Sequence, residues 1–313
     1  MLTVTLNPAV DLAVEVPRVE PERKMHGRNQ LVEPGGGGVN VARVATELGA
    51  TCSAFVVVGG PTGERLLGLL EQEGIATDVM RIAGTTRENL TVSESSTGRH
   101  YRFVLPGPTV NGEEVDEIAR RLEQASGGAR LAVVSGSLPS GIGAVDFTSL
   151  LGSLHPAGTQ MVVDTSGHAL HAAAEVGTLL MKPSRRELAE LSGRPLNSEP
   201  DIEFAARDLL AVGDNRHVVV SLGAAGALLV STEVATRRYH APVVDVISTV
   251  GAGDSLVAGM SVVLERGGDV IEAARWGVAA GTATTMSPGT GLCRRRDVER
   301  LLGEVVTRRV GKS

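Results

Sequence analysis

Aromatic residues are scarce, at 2 % of 313 positions, with one tryptophan, two tyrosines and four phenylalanines. That excludes a base-stacking platform for single-stranded nucleic acid. Excess positive charge is missing too. A formal net charge of −6 and a pI of about 5.7 argue against coating nucleic acid or an anionic membrane. Any bound anion must be met by local groups. Cysteine is confined to Cys52 and Cys293, with no metal-ligand spacing and no secretory framework, which predicts two buried thiols in a reducing cytosol. No run approaches the ~18 consecutive apolar residues of a membrane span. Residues 2–6 read as a strand rather than a signal core, so a soluble cytoplasmic protein is the expectation.

What is present is a large apolar content, 42 %, enough for a sizeable core. Near-continuous apolar runs at 54–58, 131–135, 161–164, 179–182 and 218–222 read as buried parallel strands. Between them, Val41, Val44, Ala45 and Leu48 fall at helical spacing, and 63–73, 113–123, 185–191 and 202–211 behave alike. This alternation predicts a parallel sheet with helices on both faces. Segments 11–16 and 90–105 alternate instead, the second around a turn at Ser96-Thr97-Gly98. They predict a small antiparallel sheet inserted into the core, as a flap over a site or an edge extension. With no repeat or linker, one domain over 1–313 is expected.

The most informative stretch is Gly251-Ala252-Gly253-Asp254, entered from Ser248-Thr249-Val250 and followed by an apolar run. Two glycines let backbone N–H groups turn toward an anion, and a helix starting there adds about half a positive charge. Asp254 reads either as a helix N-cap or as a general base beside an anion hole, deprotonating a hydroxyl that attacks a phosphoryl group. Gly35-Gly36-Gly37-Gly38-Val39-Asn40 is a second signal. Four glycines cost backbone entropy and bury nothing, so close approach to a ligand explains them better than structure does. Neither a dinucleotide fingerprint nor a P-loop is present. His168 and His171 lack a third ligand and read as surface residues. Arg294-Arg295-Arg296 reads as a helix start or solvated surface, and Trp276 as packing a late helix against the sheet.

Asn7-Pro8-Ala9-Val10-Asp11, the run from Glu33 to Arg43, Gly136-Ser137-Leu138-Pro139, Val219-Val220-Ser221-Leu222-Gly223 and the run from Thr249 to Ser255 occur in order at suitable spacing. Together they resemble the PfkB-type sugar kinases of the ribokinase superfamily over essentially the whole chain. Thr86-Arg87-Glu88-Asn89 and the runs 101–107 and 289–293 look most like the minor ATP-dependent 6-phosphofructokinases.

The resemblance implies a ribokinase-like three-layer α/β/α core with a mostly parallel sheet, and a β-sheet lid from about 11–30 and 88–105. It implies ATP-dependent phosphorylation of a hexose phosphate, foremost the 1-hydroxyl of fructose 6-phosphate. Fructose-1-phosphate and tagatose-6-phosphate kinases share the skeleton, and a non-catalytic sugar-phosphate sensor is the rival of another class. Asp254 would be the base, with the amides of Gly251, Ala252 and Gly253 holding the phosphoryl group. Asp11, Asn40 and the backbone of Gly36, Gly37 and Gly38 would bind sugar hydroxyls; Arg87 and Lys24 would hold the 6-phosphate, with Ser137 beside it. Lys182, Ser221, Gly223 and Gly226 would line the ATP groove. Glu187 would anchor Mg²⁺ through water, and Ser248, Val250, Ser287 and Gly289 would offer oxygens to a monovalent cation, K⁺. Pairing of two lids in a homodimer is also implied. Two positions depart from the pattern. Ser184 replaces the Asn of the Asn-x-x-Glu metal motif, and His26 stands where an arginine is usual.

Overall fold

The computed structural model describes residues 1–155 and 158–310. From the N-terminus, β1 (Leu2–Thr5) enters the main sheet, β2 (Ala9–Val16) and β3 (Arg28–Gly35) leave it for the lid, and α1 (Gly37–Glu47) returns. β4 (Ser53–Val58), α2 (Gly60–Gln72) and β5 (Ala76–Arg81) extend the core before β6 (Arg87–Glu94) and β7 (Arg99–Val104) complete the lid. The core resumes with α3 (Gly112–Ser126), β8 (Leu131–Ser135), α4 (Ala144–Gly152), β9 (Gln160–Asp164), α5 (Gly167–Val176) and β10 (Leu180–Met181). Next come α6 (Arg185–Ser192), α7 (Glu199–Leu210), β11 (His217–Ser221), β12 (Ala227–Ser231) and β13 (Arg237–His240). Last among the described residues are α8 (Ala252–Glu265), α9 (Val270–Thr284), α10 (Arg295–Leu302) and β14 (Val306–Arg309). Arg294 is the residue that begins α10.

The main sheet has the order β14-β13-β12-β11-β10-β9-β8-β1-β4-β5. It is parallel from β11 to β5 and antiparallel beyond β11. Adjacent residues of β8 feed different cores: Leu131 and Val133 join the cluster under α1, α8 and α9, while Ala132 and Val134 join the one under α3 and α4. That division is why the strand is apolar throughout, and it produces the three layers the sequence predicts. β10 is shorter than the expected 179–182, although Leu179 and Lys182 at its two ends still donate to Met161 and Val163 of the neighbouring strand. Among the described residues no helix is long and apolar enough to cross a membrane.

The lid has the order β3-β2-β6-β7 and is mixed, not antiparallel as expected. β2 and β6 pair in parallel, from Ala9 opposite Arg87 to Val16 opposite Glu94. Each leaves the core after a parallel strand, β1 or β5, so both run outward, and β3 and β7 bring the chain back. β3 extends the lid beyond 11–30. Its Pro34 is tolerated because β3 is an edge strand.

α8 opens at the turn of Gly251 to Asp254 and is seated by a close crossing with α9. A Cβ on Gly277 would lie 2.6 Å from Met260 Cγ and 2.8 Å from the Leu256 carbonyl oxygen, and one on Gly259 would lie 2.7 Å from that of Trp276. Trp276 is half-buried beside this crossing of two helices, where it was expected to pack a late helix against the sheet. Gly277→Ala should therefore destabilise the fold by about 1–3 kcal/mol. Gly68→Ala, in α2 with nothing within 4 Å of the added methyl, should be neutral or stabilising. Urea midpoints of the two variants check this; equal effects would mean that the α8–α9 crossing does not limit packing.

Candidate active site

Gly251 is the residue that caps α8, with φ 75°, and a Cβ there would lie 2.7 Å from Leu292 Cδ2. Asp254 is therefore not the cap. It sits in the first turn, where its Oδ2 accepts a 2.7 Å hydrogen bond from Asn40 Nδ2 at the start of α1. The Ala252 N–H reaches only a 3.4 Å contact with the Thr249 carbonyl, and those of Gly251, Gly253 and Asp254 have no acceptor among the described residues. Gly253 is exposed, so the turn presents open donors to the cleft at the positive end of a helix.

A buried ammonium sits beside that turn. Lys182 Nζ lies 3.0 Å from Asp164 Oδ1 and 3.9 Å from where a Gly253 Cβ would stand. Burial disfavours its charge, but Asp164, Glu187 and Asp254 outweigh burial and raise its pKa, so Lys182 stays protonated. Burial, reinforced by the Asp164 carboxylate, pushes Asp254 up to about 7, against the Asn40 hydrogen bond and the charges of Lys182 and Arg102. A carboxyl poised there suits a general base. Sequence reasoning missed Asp164. Its position at the C-terminal end of a parallel strand, where ligands of such sheets bind, was the available signal.

On the sugar side, Asp11 Oδ1 accepts a 2.7 Å hydrogen bond from Asn89 Nδ2, its neighbour across the β2–β6 ladder. Arg87 Nη2 donates to the Asn7 carbonyl at 3.0 Å and to Ser137 Oγ at 3.3 Å. Arg87 Nε, Asn7 Oδ1 and Asn89 Oδ1 are buried without partners among the described residues. Arg102, for which the sequence suggested no role, acts electrostatically on Asp11, Arg87 and Asp254. The glycine run has an internal reason after all. A Cβ on Gly35 would collide with the Asp11 carboxylate, one on Gly37 would lie 2.7 Å from Gly136 N, and one on Gly38 2.5 Å from the Val4 carbonyl oxygen. Gly36 has φ 112°.

Asp11, Asn40, Arg87, Ser137 and Asp254 are thus linked: the charge of Arg102 acts on Asp11, Arg87 and Asp254, and hydrogen bonds add Asn40 and Ser137. Lys24 is not. It lies in an exposed segment with His26, and makes no ion pair among the described residues. Arg28 pairs with Glu15, six residues along β2 from the Ala9 that pairs with Arg87, or about 20 Å away.

The nucleotide candidates line the next edge of the sheet. Ser221 ends β11 beside Ser184, and Gly223 opens an exposed turn closed by buried Gly226, where a Cβ would strike the Tyr239 carbonyl and lie 2.8 Å from Ala241 N. Ser184 caps α6: its Oγ accepts from Glu187 N at 3.2 Å while Glu187 Oε2 accepts from Ser184 N at 2.7 Å. Glu187 thus keeps one oxygen free. Among the described residues no group of three or more His, Cys, Asp or Glu side chains is placed to hold a metal ion. The carboxylates around Lys182 suit Mg²⁺ shared with phosphate oxygens, a usual arrangement for this ion. Ser248 Oγ donates to the Gly289 carbonyl at 2.7 Å and accepts from Val250 N at 3.3 Å, so Ser248, Val250 and Gly289 meet, with Ser287 on the same loop as Gly289. Their hydroxyl and carbonyl oxygens are hard donors of the kind an alkali cation takes.

The chain matches the family described as "pfkB family carbohydrate kinase" over residues 4–296. It is 42 % identical over 300 residues to the ATP-dependent 6-phosphofructokinase isozyme 2 of Mycobacterium tuberculosis, covering 96 % of this chain and 88 % of that protein. It is 33 % identical over 307 residues to the 1-phosphofructokinase of Bacillus subtilis, covering 98 % and 99 %. The crystal structure of phosphofructokinase-2 from Escherichia coli in complex with potassium superposes with a TM-score of 0.92 at 38 % identity, covering 97 % and 98 %.

Asp254→Asn should keep the fold and cut kcat by about two to four orders of magnitude. In the unmodified enzyme, protonation disables the base, so kcat/KM should fall about tenfold per pH unit below the Asp254 pKa of about 7 and level off above it. A flat profile between about pH 6 and 8 would remove Asp254 from the base role.

Proposed function

The chain belongs to the PfkB family of carbohydrate kinases, and we propose that it transfers the γ-phosphoryl group of ATP to the 1-hydroxyl of fructose 6-phosphate, giving fructose 1,6-bisphosphate and ADP. One observation carries this reading: the Asn40–Asp254 pair stands at an open amide turn in a cleft where the buried Arg87 Nε has no partner. Asp254 takes the hydroxyl proton, the freed oxygen attacks the γ-phosphorus, and the bond to the ADP oxygen breaks. The amides of Gly251, Ala252 and Gly253, with the Lys182 ammonium, meet the charge on the transferred group. Asp11, Asn40 and the backbone of Gly36 to Gly38 orient sugar hydroxyls, which need fixed donors and acceptors. Arg87 and Ser137 hold the 6-phosphate, the guanidinium through charge-assisted bonds. Ser221 and Gly223 line the ATP groove, and Gly226 keeps their turn closed.

Glu187 and Asp164 would hold Mg²⁺, through water, against the nucleotide phosphates. That ion neutralises charge on the bridging phosphates. Ser248, Val250, Ser287 and Gly289 form the monovalent-cation site, a reading supported by the potassium carried by the E. coli phosphofructokinase-2 structure. The unpaired, buried Cys52 and Cys293 support a cytoplasmic setting.

The functional form is a homodimer joined through the lid. The lid face turned away from Asp11 carries Leu90, Val92 and Tyr101, half-buried, and Phe103, 53 % exposed. Lids paired face to face cover this strip. Pairing also answers the distance between Lys24 and Arg87, because Lys24 serves the 6-phosphate of the partner's cleft.

An ATP-consumption assay with Mg²⁺ and K⁺ across fructose 6-phosphate, fructose 1-phosphate, tagatose 6-phosphate and unphosphorylated hexoses should rank fructose 6-phosphate first by kcat/KM. Preference for another sugar would move the specificity; binding without turnover of any would leave a sensor. Arg87→Ala should raise the KM for fructose 6-phosphate by about 10- to 100-fold, the worth of a charged hydrogen bond, and spare that for ATP. Mixing Lys24→Ala with Arg87→Ala protein should recover low-KM activity, because one cleft of the mixed dimer then holds both cations. No recovery would rule out Lys24 acting across the dimer.

A further inference from the structure

Building on this two-substrate reading, we propose that Glu33 is a positioning residue that couples the sugar cleft to the phosphoryl-transfer turn, by tying β3 of the lid to the loop 285–292. Glu33 lies opposite Asp11 in the β2–β3 ladder. Its Oε1 accepts from Arg43 Nη2 at 3.1 Å, and its Oε2 accepts from the Thr290 hydroxyl. Arg43, on α1, also donates to the Pro34 carbonyl at 3.2 Å and to Glu73 at 2.6 and 2.8 Å. One carboxylate oxygen is thus fixed to the core, and the other is committed to a single residue of the loop. Thr290 is 6 % exposed, and Glu33 is its side chain's one hydrogen-bond partner among the described residues.

The same two pieces also lie close together at Gly289. A Cβ on Gly289 would lie 3.8 Å from Leu31 Cδ1 and 4.0 Å from Ala13 Cβ, so the loop runs beneath both β3 and β2. On its other side the loop presses on the anion turn. Leu292 Cδ2 stands 2.7 Å from where a Gly251 Cβ would be, and the Gly289 carbonyl receives the Ser248 hydroxyl at 2.7 Å. Displacement of β3 therefore moves Thr290, and with it the residues that shape the turn of Gly251 to Asp254. A cavity of about 820 Å³, lined by Leu31, Glu33, Arg43, Ser287 and Leu292 among others, flanks the link. With that open space beside it, the Glu33–Thr290 bond carries the connection. A sugar phosphate that settles the lid then tightens nucleotide binding, and the nucleotide tightens sugar binding by the same factor.

Calorimetric titration of a non-hydrolysable ATP analogue with Mg²⁺, with and without fructose 6-phosphate, reads the coupling as a ratio of two dissociation constants. The unmodified protein should show a ratio of about fivefold or more. Thr290→Val keeps the shape and removes the hydroxyl; it should bring the ratio toward one while each ligand alone binds within about twofold of normal. Glu33→Gln should do the same, and the double variant should lose no more coupling than either single one, as a shared link requires. A ratio preserved in both single variants, or losses that multiply in the double, would overturn the inference and leave the kinase reading intact. A ratio of one in the unmodified protein with both ligands bound would do so as well. Failure of the unmodified protein to bind fructose 6-phosphate at all would instead overturn the substrate reading, and this inference with it.

Discussion

The turn proposed to transfer the phosphoryl group depends on one hydrogen bond between residues 214 positions apart, from Asn40 Nδ2 to Asp254 Oδ2. It joins the first turns of α1 and α8 at the C-terminal edge of the parallel strands, so two positive helix ends share one cleft. The amide occupies one carboxylate oxygen and leaves the other for a substrate proton. It also favours the charged form of the base, against burial and the nearby Asp164. Without that counterweight the carboxyl would rest further toward its protonated, idle form. The bond exists because α1 starts close against the sheet. Gly37 and Gly38 pass so near the end of β8 and the backbone of β1 that side chains there are excluded. The glycine run is a packing device that seats Asn40.

Charge balance gives the second constraint. Three carboxylates, Asp164, Glu187 and Asp254, act on the single ammonium of Lys182. Such a set repels a bare polyphosphate more than one lysine attracts it, so it favours a nucleotide that arrives with a divalent cation. Ser184 fits this scheme differently from the asparagine of the family pattern. Its hydroxyl and the Glu187 carboxylate complete a reciprocal cap of α6, which fixes the glutamate's orientation and spends one of its oxygens. On the proposed reading, rigidity of the Glu187 carboxylate would stand in for the second polar group that the asparagine supplies in the family pattern.

Much of the core was legible because buried parallel strands are apolar at consecutive positions: the run 131–135 coincides with β8, and 54–58 falls within β4. The turn before α8 was legible from Gly251, whose φ of 75° favours glycine whatever the tertiary context. The hidden features depend on partners remote in sequence. β3 looked like a glycine-rich motif, since Pro34 and Gly35 disguise a strand that forms only by pairing with β2. Asn89 became visible only as the in-register neighbour of Asp11, and Arg102 only because β7 folds back beside β6 on the same face. Asp164 reads locally as the last residue of an apolar run, and nothing nearby announces the lysine it meets. The S-x-x-E signature of the α6 cap lies within the sequence, where it coincides with the metal motif.

The mixed lid divides labour along its strands. β2 and β6 leave the core side by side in the same direction, so their core-proximal ends, Asp11 on one and Arg87 and Asn89 on the other, stand over the cleft together. An antiparallel pair would set the start of one strand beside the end of the other and place only one of them there. At the distal end the buried Glu94 is held by Ser96 and by the Tyr101 hydroxyl, which closes the tip without any reach toward the site. Chemistry is confined to the first few residues of each strand, and the remaining length is free to serve association. Since the side-chain period of a strand is two, Asp11, Asn89 and Thr91 face the cleft while Leu12, Leu90 and Val92 face away. One sheet can therefore close a polar site and offer an apolar surface to a second copy at the same time.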